Sequence, residues 1–157
     1  MTTKKLIIIG CSGLALLVFV VAFIVGTWFM HISKDPEGLW LSADAPMDVK
    51  LGETFHLVVE VSNRSTERTL KLDDLDISHD YLRGFVILSV EPEPKSRNID
   101  DFFEISSTRF DLVLEPETER EVVFELRAEN VGNFRGGIDQ YIGLQFLSTV
   151  VQTKVTR

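Results

Sequence analysis

At 157 residues and 17.8 kDa, with one cysteine and a formal charge of −8, the chain is too short for a large multidomain enzyme and cannot form an intrachain disulfide framework or a multi-cysteine zinc knuckle. Its mean hydropathy of +0.12 is high for a sequence with 25% charged residues, so the apolar excess is concentrated in one place. That place is the first thirty or so residues.

From Leu6 to Ile32 there is no Asp, Glu, Lys or Arg. A bilayer core about 30 Å thick needs only ~20 apolar residues as helix, so the run predicts one transmembrane helix over 6–32, with Trp28 near a headgroup boundary. Lys4 and Lys5 precede it, whereas Asp35, Glu37, Asp44 and Asp48 follow, balanced only by Lys34 and Lys50. The positive-inside rule then expects residues 1–5 in the cytoplasm and the chain from about Ser33 outside it, as a single-pass cell-membrane protein with a linker over 33–45. Cleavage as a signal peptide is disfavoured, because no A-x-A spacing follows the apolar region. Ile8-Ile9-Gly10-Cys11 resembles a bacterial lipobox, yet the chain after Cys11 returns to LALLVFVVAFIV instead of a polar tether. An uncleaved anchor is therefore expected over a lipidated Cys11. Ala22 and Gly26 have the small-xxx-small spacing that permits helix self-association, although such pairs arise often by chance in apolar helices.

Residues 33–157 hold 24 acids against 14 bases, a formal charge of −10, which favours solubility and excludes nucleic acid as a partner. Lys34 to Gly38 is a polar spacer, and Leu39-Trp40-Leu41 is compatible either with the membrane interface or with a first strand. Thereafter the period is two. Glu53–Ser62 places Phe55, Leu57, Val59 and Val61 on one face. Asn63 to Thr66 has turn chemistry, and Thr69 to Ile77 resumes with Leu70 and Leu72. Phe85 to Val90 is a continuous apolar run stopped by Glu91-Pro92-Glu93-Pro94, since proline supplies no ladder donor. Phe110, Leu112 and Leu114 alternate up to Glu115-Pro116-Glu117-Thr118, and Val122, Phe124, Leu126 and Ala128 alternate up to Gly132. Gly132, Gly136 and Gly137 read as a loosened turn, followed by closing strands at Tyr141–Phe146 and Val150–Val155.

Seven or eight strands at sandwich spacing, without an amphipathic helical period, predict a mainly β fold over 46–157: an immunoglobulin-like antiparallel β-sandwich preceded by the transmembrane helix. The stretches Lys50–Asn63, Leu112–Pro116 and Asn130–Gly136 resemble bacterial and archaeal cell-surface immunoglobulin-like modules of the CARDB and NEW3 groups. Two departures from that pattern are Pro116-Glu117-Thr118, where such modules often show Pro-Gly, and the chain's standing alone behind one helix. The resemblance implies a fold and an adhesive or scaffolding role, with no residue-level function.

Asp73, Asp74, Asp76 and Asp80, with Asp100, Asp101 and Glu104 further on, are the candidate metal ligands, because Ca²⁺ takes six to eight oxygens. Their spacing matches no EF-hand, and runs of acids are usually solvated. His31, His56 and His79 have no ligand spacing; His79 beside Asp76 and Asp80 is compatible with a pH-sensitive pair, but an inert surface histidine is the commoner case and the one expected. No G-x-S-x-G, H-E-x-x-H, P-loop or dinucleotide glycine pattern occurs, so neither enzyme activity nor a cofactor is expected. Tyr81, Phe134 and Tyr141 lie beside turns and Phe102-Phe103 lies between acids; of these, Phe102, Phe103 and Tyr141 are the interface candidates. Asn63-Arg64-Ser65 is a glycosylation sequon for a eukaryotic secretory pathway. The function expected is a non-catalytic interaction or scaffolding module for another envelope or membrane protein, with β-strand addition at an open edge as its mechanism. The alternative is a calcium- or carbohydrate-binding receptor head.

Overall fold

A computed structural model describes residues 16–28, 30, 38–100, 102–143 and 145–157. The chain divides into two units, Met1–Lys34 and Asp35–Arg157. In the first, residues 16–28 form helix α1, which carries Ala22 and Gly26 one turn apart and leaves its large apolar side chains exposed. Among the described residues no helix is long and apolar enough to cross a membrane. Apart from Met30, the remainder of the expected span, with Cys11 and His31, lies outside the described residues, as do the N-terminal residues 1–5.

The second unit contains ten strands among its described residues: β1 (Leu39–Asp44), β2 (Asp48–Lys50), β3 (Thr54–Asn63), β4 (Leu70–Ser78), β5 (Phe85–Glu91), β6 (Ser96–Asp100), β7 (Ile105–Leu114), β8 (Thr118–Ala128), β9 (Gly132–Ile142) and β10 (Gln145–Thr156), with a one-turn helix α2 (His79–Leu82) after β4. They form a four-stranded sheet in the order β1-β3-β8-β5 and a six-stranded sheet in the order β2-β10-β9-β4-β7-β6. Every pairing is antiparallel except β2 with β10. The first sheet has the A-B-E-D pattern of an immunoglobulin sandwich, and the second has its G-F-C core (β10-β9-β4) extended by three strands, β2 on one side and β7 and β6 on the other. One difference is connectivity, since β5 precedes β6 and β7 in the chain although it fills the position of strand D.

Alternation explains the core. Phe55, Leu57, Val59 and Val61 of β3 point inward beside Val122, Phe124, Leu126 and Ala128 of β8, and Leu72, Leu75, Phe110, Leu114, Ile138, Val151 and Val155 face them from the second sheet. Each of these side chains except Ala128 contributes about 1.5–3 kcal/mol by leaving water. At one end Phe85 gathers three rings around itself, with centroids of Phe55, Tyr81 and Phe134 at 5.2, 4.9 and 5.3 Å.

Several expectations are corrected. Ten strands stand where seven or eight were expected, because β1, β2 and β6 are short or polar and carry no alternation of their own. Six residues of the expected linker 33–45 form β1, paired with β3 from Leu39 opposite Asn63 to Asp44 opposite Val58. Gly132 to Gly137 is strand, not turn. There a Cβ on Gly132 would crowd the Phe134 ring, and one on Gly136 would collide with Ser78 and Tyr81, so the glycines serve close packing. Tyr141–Phe146 is not one strand but the hairpin between β9 and β10, in which Tyr141 pairs with Phe146. Tyr81 and Phe134 are core residues: the Tyr81 and Thr153 hydroxyls share a 3.0 Å hydrogen bond, and burial pushes the phenol up to about 12.

Candidate functional site

The two sides of the sandwich are built differently. At one side β1 and β2 are consecutive and belong to different sheets, so Ala45-Pro46-Met47 carries the chain across and Leu39, Ala43 and Ala45 pack on the core. At the other side the edges are β5 and β6. In an antiparallel ladder directly opposed residues share a face. Arg97 opposes Thr108 and Ile99 opposes Ser106, and Thr108 and Ser106 are both buried inward-facing residues. Arg97 and Ile99 therefore occupy the inner face of the second sheet, yet Ile99 is 69% exposed. The inner face of β6 projects past β5, and among the described residues no strand lies opposite it.

The resulting groove has a volume of about 420 Å³. Leu82, Phe85, Val86, Ile87 and Ile99 give it apolar walls, His79, Arg83 and Arg97 line it with basic groups, and among the described residues no carboxylate side chain lines it. Phe102 and Phe103 lie beyond Ile99 at the tip of the β6–β7 hairpin. Asp100 Oδ1 accepts the N–H groups of both, at 2.9 and 3.0 Å, which folds the tip into a turn and leaves the rings 87% and 67% exposed. The rings meet edge to face at 4.9 Å. The N–H of His79 donates to the Glu104 carbonyl at 2.7 Å, tying this tip to α2 and hence to the groove. An extended conformation would have turned one ring inward; the turn exposes both.

The acidic candidates are dispersed into separate environments. A register shift between Leu72 and Asp74 sets Asp73 out of the β4–β7 ladder, where it lies 3.5 Å from Lys71 and accepts the Gly143 N–H at 3.2 Å. Asp74 accepts the Arg109 Nε–H at 3.1 Å, which raises the guanidinium's pKa further. Asp80 lies on α2, 3.5 Å from Arg83. Asp76 is only 7% exposed, and its Oδ1 has no hydrogen-bond partner among the described residues. Desolvation raises its pKa, Ser107 partly offsets this, and Asp74, Asp139 and Asp100 raise it further. Asp101 lies outside the described residues. Among the described residues no group of three or more His, Cys, Asp or Glu is arranged to hold a metal ion.

Tyr141 is half-buried, its ring 5.6 Å from Phe146, and it lines a second, polar cavity of about 500 Å³ with Asp73, Asp74, Lys71, Lys95, Arg109 and Asp111. Asp111 accepts from both Lys71, at 2.6 Å, and Lys95, which holds its carboxyl at about 2. These charges are mutually satisfied and lie on the exposed face of the sheet, so the cavity is a solvated ion-pair network. Sequence reasoning did not find Lys71, Lys95, Arg109 and Asp111 because they meet only through β-pairing. It also passed over Arg97 and Ile99, whose face is set by the register of β6 on β7.

No family model matches the chain, and no curated protein matches it. Among solved structures it is similar to BspA_C_WT, at 9% identity over 74% of this chain and 50% of that one, with a TM-score of 0.51. It also aligns with the CARDB domain of a Pyrococcus furiosus protein in complex with di-metal ions, at 11% identity over 79% and 94% of the two chains and a TM-score of 0.43. A cohesin module of a Clostridium perfringens family 33 glycoside hydrolase aligns at 10% identity over 74% and 96%, again with a TM-score of 0.43. The CARDB and cohesin structures are immunoglobulin-like β-sandwiches. The likeness to BspA_C_WT is one of fold alone.

Proposed function

We propose that this protein is a single-pass membrane protein whose sandwich lies outside the cytoplasm and acts as a non-catalytic interaction module for another membrane or envelope protein. The observation that carries the interaction reading is the open side of the sandwich, where Ile99 stands uncovered on an inner sheet face beside Phe102 and Phe103. An apolar inner face left without an opposing strand, next to two exposed aromatic rings, is surface that association would bury. Membrane anchoring is supported by the uncharged run from Leu6 to Ile32 and by the basic residues before it and acidic residues after it.

The test is crosslinking of tagged full-length protein in intact cells with a membrane-impermeant, lysine-directed reagent, followed by mass spectrometry. Lys95, just before β6 on the open side, and Lys154 are exposed and offer reaction sites. The expected result is a membrane-fraction product joining these lysines to one recurrent partner. A protein that reacts only after lysis overturns the orientation, and one that reacts but remains alone overturns the interaction reading.

A further inference from the structure

The groove beside β5 is the part of the interaction surface with the most specific chemistry, and the inference drawn from it rests on the reading just proposed. We propose that an extended acidic segment of a partner polypeptide adds to β5 as a fifth strand of the four-stranded sheet, its inward side chains covering Ile99 and its carboxylates meeting Arg97 and Arg83.

Three observations converge on this. The first is geometric. Paired strands lie about 4.8 Å apart and packed sheets about 10 Å apart, so a strand added to β5 would stand over the inner face of β6, the face that carries Arg97 and Ile99 and lacks a covering strand. The second is the character of the four edges. β2 has only three residues, and β6 carries Arg97 and Asp100 among polar neighbours. β1 ends in Asp44 and has the Arg64 guanidinium 4.0 Å over its Trp40 ring. β5, in contrast, reads Phe-Val-Ile-Leu-Ser-Val before its first charge at Glu91, with Val86 and Leu88 exposed. Charge, shortness and covering are devices that protect an edge from pairing, and β5 has the least of these three; what blunts it is a register shift against β8 between Ile87 and Ser89. The third is charge. Among the described residues His79, Arg83 and Arg97 line the groove without a carboxylate, although residues 33–157 carry a formal charge of −10. Asp80 sits beside Arg83, but Arg97 has no ion pair among the described residues. A second copy of the chain fits less well, because an isologous contact would set this basic lining against itself. An acidic, apolar strand complements it.

The test uses full-length protein in lipid nanodiscs and two fluorescein-labelled peptides of about eight residues, enough to span β5. In both, every second residue is an outward-facing threonine, and the residues between, which face the groove, alternate valine with glutamate in one peptide and valine with lysine in the other. Fluorescence anisotropy is expected to show the glutamate peptide binding at least about tenfold tighter than the lysine peptide, with R97E removing most of that preference. Hydrogen exchange is expected to show new amide protection over residues 85–90. Equal binding of the two peptides, or protection confined to another edge, overturns the proposal. So does a peptide-free dimer in which β5 is already protected, since the groove would then belong to a second copy. Arg97 is exposed on an edge strand, and an unchanged thermal transition for R97E establishes that any loss is not unfolding. A photo-crosslinking side chain replacing Leu88, or in a second variant Phe102, separates this proposal from the reading beneath it. Capture in native membranes at 102 but not at 88 overturns strand addition and leaves the interaction module standing; capture at neither overturns both.

Discussion

Asn63 shows how a residue type that suggests one role can be held in another. Its side chain is fully buried, with Nδ2 donating to the carbonyls of Arg68, Leu114 and Glu115 at 2.6, 2.9 and 3.1 Å while Oδ1 accepts the Ser65 N–H at 3.1 Å. A sequon asparagine must present its amide to solvent, and this one is committed to joining the β3–β4 loop to the end of β7. Asn63→Ala is expected to lower stability by about 2 kcal/mol, because it strands buried carbonyls without donors; urea unfolding measures this, and a loss below about 0.5 kcal/mol would refute the bracing role. Asp76 is the opposite case, a carboxylate that the fold disfavours. Its folded pKa is raised above the ordinary 3.8, so the native state binds a proton more readily than the unfolded chain. Its contribution to stability is thus full below pH 3.8 and falls as pH rises through the folded value. Asp76→Asn keeps the shape and removes the charge. It is expected to raise stability at pH 7, with the gain vanishing as the pH approaches 4. A pH-independent difference in parallel unfolding curves would show that the charge is not the cause.

At the scale of the element, the β7–β8 connection departs from the Pro-Gly chemistry of the modules the sequence resembles, and the backbone shows the consequence. Glu117 takes φ 56°, in the left-handed region that a side chain disfavours. The turn is held by the Thr118 hydroxyl donating to the Glu115 carbonyl at 2.8 Å and by the Glu117 N–H donating to the Ser65 carbonyl at 3.1 Å, neither of which needs the Glu117 side chain. Glu117→Gly is expected to raise stability by about 0.5 kcal/mol, relief of strain exceeding the added freedom of the unfolded chain. A fall in the urea midpoint would show that entropy dominates. The same element shows why parts of the fold were legible. β3 and β8 each bury one face against a single core, so their period of two appears directly in the sequence, as does the proline-marked turn before β8. β6 is too short and polar to show a period, and β9 uses glycines for packing where glycine ordinarily signals a turn. β5 carried a signal that was available: a half-exposed edge strand should alternate, and Phe85 to Val90 does not, which marks apolar surface in excess of what the core needs.

At the scale of the molecule, the site is legible only once the strands are assembled. Arg83 and Arg97 are fourteen positions apart in sequence, and only the crossing of the chain from β5 in one sheet to β6 in the other places them on one groove. The interface candidates Phe102 and Phe103 were visible as a pair between acids, whereas their neighbour Ile99 gained significance only from its register. The same assembly determines which residues the fold depends on. Among the described residues, the contiguous core and the residues packed on it run from Leu39 to Val155. Every described strand also lies within the unit Asp35–Arg157. A chain of residues 35–157 is therefore expected to unfold in one cooperative transition, with the same urea midpoint and slope as the full chain in nanodiscs. The slope reports the surface exposed on unfolding, and that surface belongs to the sandwich. A midpoint lowered by the equivalent of more than about 1 kcal/mol would mean that the N-terminal unit supports the sandwich directly. Equality would mean that the sandwich carries its own stability, leaving the N-terminal unit free to serve location. The strand-addition edge would then be a property of the sandwich alone, and the shorter chain should retain the preference for an acidic strand.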